Sequence, residues 1–92
     1  MISFLRNTAF KSVFNFEFKK KVAKEVDKLP PQIRKRILRK LKFYSSQENP
    51  LRFAEKLKDC RFGEFRFRVG DYRILFDVEG RKIVILKVRH EF

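Results

Sequence analysis

Three arginines stand where a β-hairpin would bring them together. Arg66 and Arg68 alternate with apolar residues in FRFRV, and Arg73 follows the reversal formed by Gly70 and Asp71. Period-two geometry puts Arg66 and Arg68 on one strand face, opposite Phe65, Phe67 and Val69, and puts Arg73 opposite Tyr72 and Ile74 on the next strand. A register that pairs Val69 with Tyr72 projects all three guanidinium groups from one face. Such a cluster can clamp a phosphate through charge-assisted hydrogen bonds and stabilise charge that develops on it during transfer. Lys56, Lys58 and Arg61 lie just upstream and are expected to line the rim. Exposed strand positions in a basic chain also carry arginine through composition alone, so the spacing by itself names no substrate.

His90 is the single histidine. A group titrating near neutrality is suited to moving a proton, and His90 is expected to reach the arginine face. Other chemistries find no support. There is no glycine-rich phosphate loop, no HExxH and no CxxC, and Cys60 stands alone, so neither an internal disulfide nor a zinc cluster can be built from it. We expect no metal and no cofactor.

The charge balance points to an anionic partner. Lys and Arg number 24 against 11 acids, a formal net charge of +13 on 92 residues, which strains the compact state by self-repulsion. Nucleic acid fits first, because Lys and Arg neutralise phosphates with little demand on sequence, and an acidic protein that masks the charge fits too. Thermophilic adaptation enriches lysine together with glutamate, and here the acids do not keep pace. No apolar run approaches the ~20 residues of a membrane span, and the opening MISFLRNTAFK lacks the features of a secretory signal, so a cytoplasmic location is expected.

These groups need a frame, and the apolar pattern supplies one. A hydrophobic content of 43% with 12 Phe suffices for one compact core, so residues 1–92 form a single domain, with residues 1–10 a partly ordered extension. Phe14, Phe16 and Phe18 alternate with polar residues and predict a first strand. Val22, Ala23, Val26 and Leu29 recur at helical spacing, and Pro30 and Pro31 then break the pattern, with Pro31 suited to the first turn of a second helix. That helix carries Ile33, Ile37, Leu38, Leu41 and Tyr44 on one stripe and Arg34, Lys35, Arg36, Arg39, Lys40 and Lys42 elsewhere, and should end near Ser45 and Ser46. SSQENPLRFAEKLKDC reads as a connecting loop with a short helical turn around 52–57. Two hairpins follow, reversing at Gly70 and Asp71 and again around Glu79, Gly80 and Arg81, and they end in KIVILKV, apolar on both faces. The expectation is an α+β fold of order β-α-α-β-β-β, two N-terminal helices on one face of a small antiparallel sheet.

The stretch KLKDCRFGEFRFRVGDYRILFDVEGRKIVILKV, together with KLPPQIRKRI, resembles the RelE/ParE toxin superfamily over residues 13–90. The most specific part is FRFRVGDYRILF, preceded by Lys56 and Leu57. The resemblance implies the same β-α-α-β-β-β order, an antitoxin partner, and one of two activities. RelE-like members cut messenger RNA on the ribosome without a metal, whereas ParE-like members poison DNA gyrase. RelE-like ribonucleases use basic residues on the second strand, an arginine opening the third, and a basic residue plus a tyrosine at the C-terminal end. Residue by residue, this implies Arg66, Arg68 and Arg73 as catalytic groups, with His90 the nearest C-terminal counterpart; Lys56, Lys58, Arg61, Arg89 and Phe92 are expected to bind RNA around them. The ending KVRHEF departs from the family pattern, with Arg89 in place of glycine and no terminal tyrosine. Phe92 can stack on a base but cannot donate a proton. Arginine, which stays protonated at neutral pH, binds phosphate well and is a poor general base. The expected function is therefore a ribosome-dependent messenger endoribonuclease partnered by an antitoxin. The alternative is a non-catalytic binder of the same fold, either a gyrase inhibitor or a degenerate toxin that only binds its antitoxin.

Overall fold

The computed structural model describes residues 14–61 and 63–91. Strand β1 (Asn15–Phe18) leads into helices α1 (Lys20–Asp27) and α2 (Pro31–Ser45); a 3₁₀ turn (Pro50–Phe53) and four strands follow, β2 (Glu55–Lys56), β3 (Phe65–Val69), β4 (Tyr72–Glu79) and β5 (Lys82–His90). The strands form one sheet in the order β1-β5-β4-β3-β2.

Local chemistry explains the helix boundaries. Pro31 opens α2 at a position where its missing N–H costs nothing. The Arg34 side chain reaches back and donates to the carbonyls of Asp27 (3.2 Å) and Leu29 (3.3 Å), which closes the tight corner between the helices and places a cation at the negative end of α1. At the far end of α2, the hydroxyl of Ser46 and the side-chain amide of Gln47 both donate to the Phe43 carbonyl, adding to the Ser46 backbone amide at an acceptor in the last turn that the helix itself leaves open. Asn49 then accepts from the Leu51 amide and starts the 3₁₀ turn.

The helices cover one sheet face. Val22 and Val26 from α1 and Ile37, Leu41 and Tyr44 from α2 are buried with Phe67, Val69, Ile74, Phe76, Ile83 and Ile85. Rings form the centre of this contact: Tyr44 stacks on Phe67 at 4.2 Å between centroids, and Phe67 on Phe76 at 4.3 Å. Phe14, Phe16 and Phe18 pack against the same cluster, as their alternation predicts.

Two features correct the expected sheet. It is mixed rather than antiparallel, because β1 pairs with β5 in parallel, Asn15 opposite Lys82 through Phe18 opposite Ile85. No tight turn joins these two strands. The path between them crosses the helix layer, so nothing forces them to run oppositely. The second correction is β2, which pairs with β3 inside a stretch expected to be loop.

The hairpin registers agree with the turn chemistry. Val69 faces Tyr72 across Gly70 and Asp71, with Gly70 at φ +58°. Between β4 and β5 the ladder slips: Leu75 faces Lys87 but Phe76 faces Ile85, so Leu86 is an extra residue in a bulge. Before the bulge Ile83 and Ile85 point toward the helices; beyond it Val88 and His90 do, and Lys87 and Arg89 turn to the other side.

Candidate nucleic-acid interface

Register brings basic side chains into rows on the sheet face away from the helices. Arg68 faces Arg73, which faces Arg89, in one row across β3, β4 and β5; Arg66, Leu75 and Lys87 form the neighbouring row. Leu75 is buried and floors a depression of about 340 Å³ that Leu57, Lys58, Asp59, Arg61, Arg66 and Arg89 also line. The loop carrying Lys58 and Arg61 is tied down at its base. The Leu57 amide donates to the Glu64 carbonyl (2.8 Å), and the Glu64 amide donates to the Asp77 carboxylate (2.7 Å).

Two carboxylates stand among these cations. Arg66 donates from Nε (3.2 Å) and Nη2 (2.9 Å) to one oxygen of Glu55, and Arg68 approaches the same oxygen at 3.8 Å. Arg73 donates from Nη2 to Glu91, while its own Nε is buried without a hydrogen-bond partner. The hydrogen bond from Arg73 holds the Glu91 carboxyl below the usual carboxylate range; burial opposes this, and the charges of Arg73, Arg68 and Arg66 reinforce it. Sequence reasoning missed both acids. Glu55 lies in the segment read as loop, and the facing of Glu91 depends on the bulge. The KVRHEF ending, with an acid beside the histidine, was the available signal.

The structure brings Arg66, Arg68 and Arg73 to one face, with Lys58, Arg61 and Arg89 beside them. It does not bring His90 there. His90 pairs with Tyr72 on the helix-covered face, its ring edge-on to the Tyr72 ring at 4.8 Å, and with Ile33, Arg36, Ile37, Val69, Asp71 and Tyr72 it lines a small pocket of about 130 Å³. The bulge is the physical reason. Unbroken alternation from Ile83 would have aimed residue 90 at the arginine side, and the extra residue reverses the parity. Lys56 also leaves the expected rim: it pairs with Phe65, whereas its neighbour Glu55 pairs with Arg66. Phe92 lies outside the described residues. Cys60 is exposed in the loop after β2.

Against this geometry, a sequence profile described as the ParE toxin of the type II toxin-antitoxin system, parDE, matches residues 16–91. The chain belongs to the RelE/ParE toxin superfamily. Two similar solved structures are toxin–antitoxin complexes. A chain of the RelBE2 complex from Mycobacterium tuberculosis is 30% identical, with a TM-score of 0.72 over 84% of this chain and 96% of that one. A chain of the archaeal RelE–RelB complex from Pyrococcus horikoshii OT3 is 26% identical, with a TM-score of 0.68 over 86% and 96%. No curated protein matches the sequence at a significant level.

The toxin is basic on its helix layer too. Gln32, Lys35, Arg36, Arg39 and Lys40 surround one shallow trough along α2, and Lys35, Leu38, Arg39 and Lys42 another. Among the described residues no helix is long and apolar enough to cross a membrane, and no group of His, Cys, Asp or Glu could hold a metal ion.

Proposed function

We propose that this toxin is a ribosome-dependent messenger endoribonuclease whose arginine face holds the scissile phosphate. The observation that carries the reading is the convergence of Arg66, Arg68 and Arg73 from adjacent strands beside a depression lined by Lys58, Arg61 and Arg89. Guanidinium groups at this density bind a phosphodiester and stabilise the extra charge it acquires when the neighbouring 2′-hydroxyl attacks phosphorus and the bond to the 5′-oxygen breaks. The basic helix layer supplies sequence-independent grip on ribosomal RNA. His90, across the sheet, takes no part in the proton transfer. An antitoxin of acidic or amphipathic character neutralises the charge and covers the face, and all of this takes place in the cytoplasm.

A second reading has its own support. Glu55 and Glu91 already pair with Arg66 and Arg73, an arrangement suited to a fold that binds without cutting, as a gyrase inhibitor or an antitoxin-binding relic would. Mapping of 5′ ends by primer extension on a message under translation in vitro separates the two. New cuts within codons, only when ribosomes are present, support the ribonuclease. Intact message with folded toxin rejects it, and cleaved DNA complexes in a gyrase supercoiling assay then identify the gyrase inhibitor.

A further inference from the structure

Arg73 and Arg66 are engaged by their carboxylates in different ways. Glu55 takes both Nε and Nη2 of Arg66, so the side-on edge of that guanidinium is filled. Glu91 takes only Nη2 of Arg73, and the adjacent Nε is buried with no acceptor. A buried donor left unmade is costly, and the same edge would be fully satisfied by an anion presenting two oxygens side by side. The Glu91 backbone is pinned, its amide donating to the Asp71 carbonyl at 2.8 Å, so the carboxylate can leave by side-chain rotation alone while β5 stays in place.

We propose that Glu91 is a built-in stand-in for the substrate phosphate: it occupies the Nη2 corner of Arg73 in the free toxin, and an RNA phosphodiester displaces it to take the Nε and Nη2 edge together. The idea rests on the reading of the arginine face as a phosphate-binding surface and adds to it the exchange point and the competitor. The competitor sets a threshold. A stray anion must displace a carboxylate that Arg68 and Arg66 also attract, whereas an RNA strand that contacts Lys58, Arg61 and Arg89 at once brings enough further charge neutralisation to do so.

The test is fluorescence-anisotropy binding of a labelled 2′-O-methyl oligoribonucleotide, which has no free 2′-hydroxyl to react, to the wild-type toxin and to Glu91→Gln, Arg73→Gln and the double variant. Glu91→Gln is expected to tighten binding about fivefold, the upper end for releasing a part-exposed ion pair. Arg73→Gln is expected to weaken binding, and in its background the Glu91 substitution should have no effect. Glu79→Gln removes the same charge at the β4–β5 turn and should shift affinity much less. Glu91→Ala, with circular dichroism on every variant, guards against loss of fold. Weakening by Arg73→Gln without tightening by Glu91→Gln, or equal tightening by Glu79→Gln, overturns the stand-in and leaves the phosphate-binding face intact. Binding unmoved by Arg73→Gln and by Arg66→Gln together overturns both.

Discussion

Gly63 joins the loop that carries Lys58 and Arg61 to the start of β3, and replacing it with alanine should dislodge that loop. Its φ is +126°, a conformation that residues with a side chain rarely adopt. A Cβ built there would lie 2.8 Å from the Phe76 carbonyl oxygen, 3.0 Å from its nitrogen and 3.1 Å from its carbonyl carbon. These atoms belong to the backbone of a central strand whose side chain is wholly buried, so they have no flexible route out of the way. Backbone strain and relief of the overlap each contribute about 1–3 kcal/mol, so even toward the lower end of their sum Gly63→Ala should cost roughly 3 kcal/mol. For a domain of this size that lowers Tm by about 12–24 °C. Thermal unfolding followed by circular dichroism reads it directly. A melt within about 2 °C of wild type would refute the claim that close approach of the β4 backbone requires glycine here.

Phe67 is flanked by Tyr44 on one side and Phe76 on the other, and it is fully buried, so Phe67→Ala should cost about 3–5 kcal/mol and show as a large drop in the urea midpoint with little change in slope. Binding of single-stranded RNA should weaken linearly with log salt concentration, and removing one phosphate contact with Arg68→Gln should make that slope shallower by about 0.7; an unchanged slope would remove Arg68 from the interface. Glu91 has a lowered carboxyl pKa in the folded state, so its ion pair stabilises the fold above the ordinary carboxylate range and loses this as pH falls through the depressed value. The Tm difference between wild type and Glu91→Gln should therefore be constant near neutrality and vanish in strong acid. A difference that grows on acidification would reverse the assigned sign.

What could be read from the chain in advance was what depends on local spacing. Phe14, Phe16 and Phe18, the proline pair, the stripe on α2 and the reversals at Gly70 and Gly80 each carry their signal within a few residues, and each has its place in the structure except Leu38, which leaves the stripe to lie with Lys35, Arg39 and Lys42 beside a surface trough. The three arginines were legible for the same reason, since alternation within one hairpin decides their face. The parallel pairing of β1 with β5 was not, because no turn encodes it. Nor was β2, whose two residues become a strand only because β3 pairs with them. Between Lys82 and Lys87 the run IVIL is apolar throughout, so no residue marks the point where the facing reverses, and the bulge at Leu86 stayed hidden along with the true facing of Lys87, Arg89, His90 and Glu91.

That single extra residue decides which chemistry the face can perform. With uninterrupted pairing, Val88 would face Arg73, and His90 would emerge on the same side opposite Asp71, one pair further along, so the arginine face would hold its own proton acceptor. With the bulge, Arg89 faces Arg73 instead, and a guanidinium, which stays protonated at neutral pH, binds and stabilises but does not abstract a proton. Glu91 is a poor replacement for the histidine as a base: in the free toxin the hydrogen bond from Arg73 lowers its carboxyl pKa, and the charges of Arg68 and Arg66 lower it independently of that bond. On the proposed function, the face then supplies phosphate recognition and charge stabilisation and leaves proton transfer to groups brought by the target. Under the proposed function this explains why cleavage should require the ribosome: free RNA offers the phosphate alone, whereas a message held in a decoding site arrives with its 2′-hydroxyl oriented and with other groups close enough to take the proton.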